Sequence, residues 1–304
     1  MLGSVMIYLF NRADGNQTEG IGAVAQCQIH TYSLSKLLGV EFASTKFQNL
    51  QHYQEHDTQE NFCKDVTNFF NFPNQIEPPQ DVVKFEHINT DLFEFISDNK
   101  EGDDVYVEIG NSDMMKFADS NADKWSQFIP NLANCVTLDE SKQYFDDNKL
   151  NISLHITNFI EGRDNDRSES REQFVQGNSK EKYYVNLLQK FDEIFNRRNQ
   201  SLFVDKEYHI YSRSQTPGDL SQFEAFTKLG LPIRFHIDEH PIVSLYHLIN
   251  SDVKVLSNSS FSYISALYGK GLSISRTNFH HKIPENVLYS DYDGNFDESQ
   301  IAFG

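Results

Sequence analysis

The chain has 304 residues, with 26 Lys and Arg against 44 Asp and Glu, so its formal net charge is −18 at pH 7. A protein that binds the phosphate backbone of nucleic acid needs a basic face, so this balance argues against a nucleic-acid partner. It does not exclude a nucleotide, because one or two Arg side chains suffice for a diphosphate. The length suits one large or two medium domains.

The N-terminal segment, residues 1–10, is apolar but lacks the basic region that precedes the apolar run of a secretory signal peptide. No apolar run in the sequence is long enough to cross a bilayer, and Cys27, Cys63 and Cys135 lack metal-ligand spacing. These features predict a soluble protein of the reducing cytoplasm, without a transmembrane segment, in which the cysteines are buried apolar side chains.

Two glycines, Gly20 and Gly22, follow a predicted strand over residues 5–10 and begin a predicted helix that Gly39 closes. Glu41 lies about 20 residues further on, where a dinucleotide-binding fingerprint places an acidic residue. In that fingerprint the first glycine follows the strand directly, whereas a polar turn of nine residues, 11–19, intervenes here. The spacing therefore argues against a nicotinamide cofactor. It favours a tight turn into a helix, which is compatible with a glycine loop that faces a substrate cleft.

The remaining elements of the first half are weakly marked. Residues 86–98 and 125–132 have helical patterns, and residues 105–109 form the apolar run of a strand. The acidic stretch over residues 139–149 is predicted to be helix and linker. We therefore expect a first domain over residues 1–150 and a second domain over residues 151–304.

Strands and helices alternate through the second half. Ile242, Leu245, Tyr246 and Ile249, for example, recur at the spacing of one helix face, and a short β-branched run follows them. The predicted strands cover residues 152–156, 208–212, 233–237 and 253–256, and the predicted helices cover residues 183–195, 223–229, 242–249 and 261–268. Such alternation predicts an α/β domain with a parallel, doubly wound sheet.

Three polar turns follow strands of this predicted sheet, at residues 155–166, 212–219 and 257–262. The carboxyl ends of parallel strands meet at one edge, so the turns are expected to converge on one crevice. Hydroxyls at a helix start suit a phosphate group. Arg163 is the first candidate for clamping a diphosphate, ahead of Arg167 and Arg213.

Metal ligation has a first candidate in Asp164 and Asp166 and a second, of the same form but less weight, in Asp291 and Asp293. Asp164 and Asp166 form an Asp-x-Asp pair after a strand, which can hold a divalent metal that bridges a sugar-nucleotide diphosphate. The pair is of low specificity in so acidic a chain. His52, His56 and Cys63 do not indicate a metal, because their spacing suits no standard ligand set.

The runs "HIYSRSQ" (209–215) and "FHIDEHPIVSLYHLINSDVKVLSNSSFSYISALYGKG" (235–271) resemble the nucleotide-binding half of fucosyltransferase-like glycosyltransferases. The segment "EGIGAVAQCQIHTYSLSKLLGVEF" (19–42) is similar to the Gly-rich loop and first helix of that group. The resemblance implies a GT-B architecture of two facing, doubly wound α/β domains. The first domain would lie on the acceptor side, and the second would bind the nucleotide-sugar.

This resemblance implies the transfer of a sugar from a nucleotide-sugar to a hydroxyl of a glycan acceptor, with inversion and without a metal. The sugar that it implies is fucose. Nucleotide-sugar and glycan would be the partners, and no cofactor is required. The implied catalytic residues are Glu161, Arg163 and Asp164. The implied donor-binding residues are Gly20, Gly22, His155, Ser212, Gln215, His236, Asp238, Ser257, Asn258, Ser259, Ser260, Phe261 and Ser262.

One departure from the family pattern leaves alternatives open. The group carries His-x-Arg-Arg-Gly-Asp after the strand, whereas here the pair Arg163-Asp164 follows His155 only after an insertion. Arg163 and Asp164 replace the family pair in one interpretation. In a second, the donor is another sugar nucleotide such as UDP-xylose. In a third, the chain is a glycan- or nucleotide-binding protein without catalytic activity.

Overall fold

The computed structural model describes residues 6–53, 57–99, 104–157, 180–198, 205–214, 216, 218–277, 281–283 and 285–301. The chain divides into two compact units. The first unit comprises Met1–Leu138 with His281–Pro284, and the second comprises Asp139–His280 with Glu285–Gly304.

The first unit alternates short strands with helices. Its strands are β1 (Ile7–Phe10), β2 (Glu41–Phe42), β3 (Ser44–Thr45), β4 (Gln75–Ile76), β5 (Val83–Phe85) and β6 (Val105–Ile109). Its helices are α1 (Ile21–Leu38), α2 (Gln59–Phe70), α3 (Thr90–Asp98), α4 (Asn111–Ser120), α5 (Ala122–Trp125) and α6 (Ile129–Ala133), with a 3-10 turn at Ser126–Phe128.

The main sheet of the first unit has the order β2-β1-β6-β5, and every pair in it is parallel. Helix α1 packs as a buried helix, and its hydroxyl side chains bond back to its own backbone, as when Thr31 donates to the Cys27 carbonyl at 2.8 Å. The helix ends where predicted, because Gly39 adopts the left-handed conformation, with φ of 68°.

The second unit repeats the strand and helix alternation on a larger scale. Its strands are β7 (Lys149–His155), β8 (Asp205–Ser212), β9 (Ile233–Ile237), β10 (Val253–Val255), β11 (Leu272–Arg276) and β12 (Val287–Ser290). Its helices are α7 (Lys180–Arg198), α8 (Glu224–Thr227), α9 (Pro241–Asn250) and α10 (Ser260–Tyr268), with 3-10 turns at Glu140–Lys142, Ser221–Phe223 and Glu298–Gln300.

The six-stranded sheet of the second unit has the order β12-β11-β10-β7-β8-β9, and all of its pairs are parallel. Counted in chain order within the unit, this is 6-5-4-1-2-3, the strand order of doubly wound dinucleotide-binding sheets. The chain leaves β7 toward one edge and returns to its other side at β10. The α/β fold class and the parallel sheet predicted from the sequence are confirmed.

One face of this sheet is apolar, and the other is unusually polar for parallel strands. Alternate residues such as Ile152, Leu154 and Ile210 pack with Leu187 and Phe191 of α7 in one buried core. The residues between them are polar: Asn151, Ser153, His155, Glu207, His209, Arg234, His236 and Lys254. Parallel strands covered on both faces normally read as continuous apolar runs. The polar face therefore requires an explanation in terms of its hydrogen bonds.

Candidate functional site

The sheet of the second unit has its topological switch point between β7 and β10. Connections from these two neighbouring strands run in opposite directions, so their carboxyl ends open a crevice, which is where ligands bind in open α/β sheets. Strand β8 adjoins β7 on the other side. The three strands whose polar turns were predicted to converge are therefore neighbours.

A chain of hydrogen bonds joins the ends of β7 and β10. The Nδ1 atom of His155 lies 2.6 Å from the hydroxyl oxygen of Ser262 and 3.1 Å from that of Ser257. The Thr157 hydroxyl bonds to the Ser257 hydroxyl, and the Ser257 amide donates to Ser262 Oγ at 3.2 Å. We call these four residues, His155, Thr157, Ser257 and Ser262, the hydroxyl cluster.

Helix α10 begins at this cluster. Ser259 is its N-cap in extended conformation, and the Ser259 Oγ accepts a hydrogen bond from the Phe261 amide at 3.1 Å. Asn258 and Ser260 flank the cap and are half-buried. The amide-rich start of a nine-residue helix carries partial positive charge. Together with several hydroxyls, it forms a suitable environment for a phosphate group.

The Phe261 ring covers one side of His155. Their ring centroids are 5.0 Å apart, with an angle of 47° between the ring planes. Ser257 and Ser262 are buried, whereas His155, Thr157 and Phe261 are half-buried. A half-buried imidazole beside an aromatic ring provides both a polar contact and an apolar surface, which a nucleoside requires.

Other predicted donor-binding residues make structural contacts. The buried Ser212 hydroxyl donates to the Ile156 carbonyl at 2.7 Å and so ties β8 to β7. The Asp238 carboxylate accepts from the Ser214 amide at 2.9 Å, from the Ser214 hydroxyl and from the Gly218 amide at 3.5 Å. These contacts hold the turn after β8.

The electrostatics of Asp238 agree with that role. Burial by itself would raise the pKa of Asp238, but the hydrogen bonds from Ser214 and Gly218 and the charge of Arg213 lower it below its usual range. Asp238 also has a left-handed backbone, with φ of 60°. Its carboxylate is thus ionised and directed to the turn after β8, where it accepts from the Ser214 and Gly218 amides.

The glycines Gly20 and Gly22 lie in the first unit. Gly20 is the N-cap of α1, with φ of −88° and ψ of 178°, and Gly22 is buried in the first turn of that helix. Their predicted place in a cleft between domains stays a prediction. The same holds for Glu161, Arg163, Asp164 and Gln215, and for the rival pair of Asp164 with Asp166, which lie outside the described residues.

Two residues with contacts near the site, Thr157 and Tyr144, were not predicted from the sequence. Thr157 was passed over, although it lies two residues after His155, where alternation along an extended chain places it on the same side. The aromatic residue Tyr144, which packs against the predicted donor residue His236, carries no local signal. Its ring centroid is 4.4 Å from that of His236, 92 positions away in the sequence numbering (236 − 144).

Two features of the described ranges concern membranes and metals. Every helix in them is too short or too polar to cross a lipid bilayer. Within the same ranges, no group of three or more His, Cys, Asp and Glu side chains is arranged to hold a metal ion.

Comparison with known proteins identifies structural neighbours and no sequence relatives. No protein-family model matches the chain, and no curated protein matches it. A crystal structure of POFUT1 in complex with GDP matches with a TM-score of 0.41 and 12% identity, covering 92% of this chain and 100% of that chain. Crystal form III of the same complex matches with a TM-score of 0.38 and 11% identity, covering 89% of this chain and 98% of that chain. At these values the likeness carries no argument about activity.

Proposed function

We propose that the chain binds a nucleotide-sugar at the carboxyl ends of β7 and β10 in the second unit and transfers the sugar to a hydroxyl of a glycan acceptor. The observation that carries this proposal is the hydroxyl cluster at the switch point of a doubly wound sheet. Its place in the fold favours a nucleotide. The sequence resemblance of residues 209–215 and 235–271 supplies the reaction class and makes GDP-fucose the first donor to test.

The cluster supports the phosphate end of the donor. Ser257 and Thr157 contribute hydroxyls next to the start of α10, and hydrogen bonds to a charged group contribute about 1.5–3 kcal/mol each. The net charge of −18 repels an anion, so neutral hydroxyl and amide donors need a cation beside them. Arg163, which follows β7 in the sequence, is the residue we assign to that role.

The proposed reaction is a single displacement with inversion. The acceptor oxygen forms a bond to the anomeric carbon as the bond from that carbon to the diphosphate oxygen breaks, and the electron pair of that bond leaves with the diphosphate. A carboxylate takes the proton of the acceptor hydroxyl. Glu161 and Asp164 are the candidates. Arg163 and the helix start stabilise the leaving diphosphate without requiring a metal.

A thermal-shift panel tests the proposal. GDP, UDP, GDP-fucose, UDP-sugars and NAD are each added to the full-length protein with and without EDTA, because a ligand of the native state raises its melting temperature. We expect a shift with GDP and GDP-fucose that EDTA does not change. A UDP-selective shift would agree with the proposed site but indicate a UDP-sugar as the donor. An EDTA-sensitive shift would favour the metal-dependent reaction through Asp164 and Asp166.

Turnover separates a transferase from a binding protein. Release of GDP from GDP-fucose in the presence of glycan acceptors is expected to exceed release without acceptor. Binding of GDP without any turnover would support the interpretation of a non-catalytic nucleotide-binding protein. No shift with any nucleotide would contradict the proposal at its first step.

A further inference from the structure

The polar face of the second sheet carries a stack of aromatic rings centred on Tyr144. The Tyr144 ring lies nearly parallel to the His247 ring, with centroids 3.6 Å apart, and to the His236 ring at 4.4 Å. His236 in turn stacks on Tyr211 at 4.9 Å. Tyr144 belongs to residues 139–148, the segment that precedes β7, which we call the entry segment.

Polar contacts fix the Tyr144 side chain. Its hydroxyl lies 3.0 Å from the Tyr211 hydroxyl and 3.2 Å from Glu239 Oε2, which also accepts from the Ser244 hydroxyl at 2.9 Å. The neighbouring residue Phe145 packs on the same imidazoles, with its ring centroid 4.7 Å from that of His209 and 4.7 Å from that of His247. Histidine rings therefore form much of the surface that holds the entry segment.

The protonation state of His247 follows from its two hydrogen bonds. Its Nδ1 lies 2.8 Å from the Val243 carbonyl, so this nitrogen donates. Its Nε2 accepts the Tyr144 backbone amide at 3.2 Å, so this nitrogen has no hydrogen. His247 is thus neutral, and a proton added at Nε2 would oppose the Tyr144 amide.

The contact between His209 and His236 also limits how many protons these imidazoles can take up. Nδ1 of His209 lies 3.0 Å from Nε2 of His236, so one nitrogen must carry a hydrogen and the other a lone pair. The outer nitrogens face carboxylates, with His209 Nε2 at 3.5 Å from Glu207 and His236 Nδ1 at 3.5 Å from Glu239. This pair can therefore hold one added proton, and a second proton would break the contact.

The surrounding charges oppose further protonation. Glu207, the carboxylate next to His209, is already paired with Arg234 at 2.9 Å and with Lys149 at 3.5 Å. Burial lowers the pKa of His209 to about 3, with contributions from the charges of His236 and Arg234. Burial also lowers the pKa of His247, against the hydrogen bond to Val243 and the charge of Glu239. Tyr144 and Tyr211 are phenols whose pKa burial raises, so they stay protonated.

We propose that this stack is an acid-sensitive latch, in which proton uptake by His209 and His247 releases the entry segment from the sheet. Neutral histidines hold Tyr144 and Phe145. A proton at Nε2 of His247 opposes the Tyr144 amide, and a proton on His209 brings a positive charge into the buried ring surface against which Phe145 packs. The latch does not depend on any nucleotide. It is a property of the second unit that goes beyond the proposed transferase activity.

The direction of the pH dependence follows from the lowered pKa values. The released state takes up protons below the ordinary histidine pKa of about 6.5, whereas the attached state resists them down to about 3 for His209. Attachment is therefore complete above about pH 6.5 and weakens as the pH falls. The equilibrium for release rises by up to about tenfold per pH unit for each proton taken up.

Hydrogen exchange on the full-length protein tests the latch. The protection factor of peptides that contain the Tyr144 amide is measured between about pH 8 and about pH 5, after correction for the intrinsic exchange rate. A peptide from β7 in the same samples reports global unfolding. We expect protection of the entry segment to fall by at least about tenfold below pH 6.5, while β7 stays protected.

Variants separate the latch from general acid lability. His247→Gln retains an amide at the position of the imidazole but cannot take up a proton at this pH, so we expect a shallower pH dependence of entry-segment protection. Tyr144→Phe lowers protection at every pH and retains the pH dependence, because the histidines remain. His87→Gln, at an exposed histidine of the first unit, should behave as the unaltered protein. Equal loss of protection in β7 and the entry segment, or an unchanged slope in His247→Gln, would overturn the proposal.

Discussion

The imidazole nitrogen Nδ1 of His155 lies 2.6 Å from the hydroxyl of Ser262, 107 positions further along the chain. His155 is the last residue of β7, and Ser262 is in the first turn of α10, after β10. The contact exists because the sheet places β10 directly beside β7. It joins the two ends of the switch point, where the proposed donor would bind.

Removal of single hydroxyls from the cluster should weaken nucleotide binding. For Ser257→Ala we expect about tenfold weaker GDP binding by calorimetry, because one hydrogen bond to a charged phosphate is lost. Ser262→Ala acts through His155 and should weaken binding by a smaller factor. Ser120→Ala, at the exposed last residue of α4, is the matched control and should leave affinity unchanged. Equal affinity in Ser257→Ala and Ser120→Ala would contradict the placement of the phosphate.

Loss of the proposed diphosphate clamp should abolish most of the affinity. Arg163→Ala removes the cation that we assign to the diphosphate, and a charged contact of this kind contributes about 2 kcal/mol or more. We expect at least a thirtyfold rise in the Kd for GDP, roughly that free energy expressed as a ratio. Arg167→Ala, four residues on in the same polar stretch, is the control. If Arg167→Ala raised the Kd for GDP and Arg163→Ala left it unchanged, Arg167 would be the residue that binds the diphosphate.

Gly15 should tolerate no side chain. A Cβ at this position would lie 2.8 Å from the backbone oxygens of both Asn49 and Glu19. Gly15→Ala is therefore expected to lower the free energy of unfolding by about 1–3 kcal/mol, measured by urea denaturation. Gly20→Ala is the control, because among the described residues its Cβ would meet only Cδ2 of the His52 ring, at 3.5 Å, and its φ suits any residue.

The same control bears on function. A Gly20→Ala protein that is as stable as the unaltered protein but has weaker donor or acceptor binding would support the predicted place of Gly20 at the substrate. A stable Gly20→Ala protein with unchanged binding and turnover would count against that role. Loss of stability in Gly20→Ala would instead contradict the geometry around the start of α1.

The buried Lys254 is expected to lower the free energy of unfolding at neutral pH. It is fully buried within β10, and its Nζ donates to the Ser251 carbonyl at 3.2 Å. Burial lowers its pKa to about 8, although the charge of Asp252 acts in the opposite direction. The unfolded chain therefore binds a proton up to about pH 10.4, and the folded chain only up to about 8. Stability should rise with pH between those values.

Lys254→Met removes the free-energy cost of burying the ammonium group, with little change in side-chain volume. We expect it to raise the free energy of unfolding at pH 7 by about 2 kcal/mol and to abolish the rise in stability between about pH 8 and pH 10. Lys270→Met, at an exposed position after α10, is the control and should change neither. A less stable Lys254→Met protein at pH 7 would show that the ammonium group is better solvated than its burial indicates.

The local pattern was sufficient to predict most elements of the second unit. Ile242, Leu245 and Ile249 predicted the buried face of α9, and the serines before Phe261 predicted the cap of α10. Elsewhere local patterns misplaced boundaries. The predicted helix from residue 86 starts only at Thr90, because Asn89 caps it by accepting from the Leu92 amide at 3.3 Å. Residues 139–149 form only a 3-10 turn before the strand begins.

The alternation of strands and helices could be predicted from local patterns, because periodicity and capping depend on residues within a few positions of one another. The position of β10 beside β7, which brings Ser262 to His155, and the place of Tyr144 in a stack of histidines are established only in the folded unit. These contacts join residues about a hundred positions apart, and their formation depends on the order of strands in the sheet. Strand order reflects the packing of the whole unit, so no local run of residues encodes it.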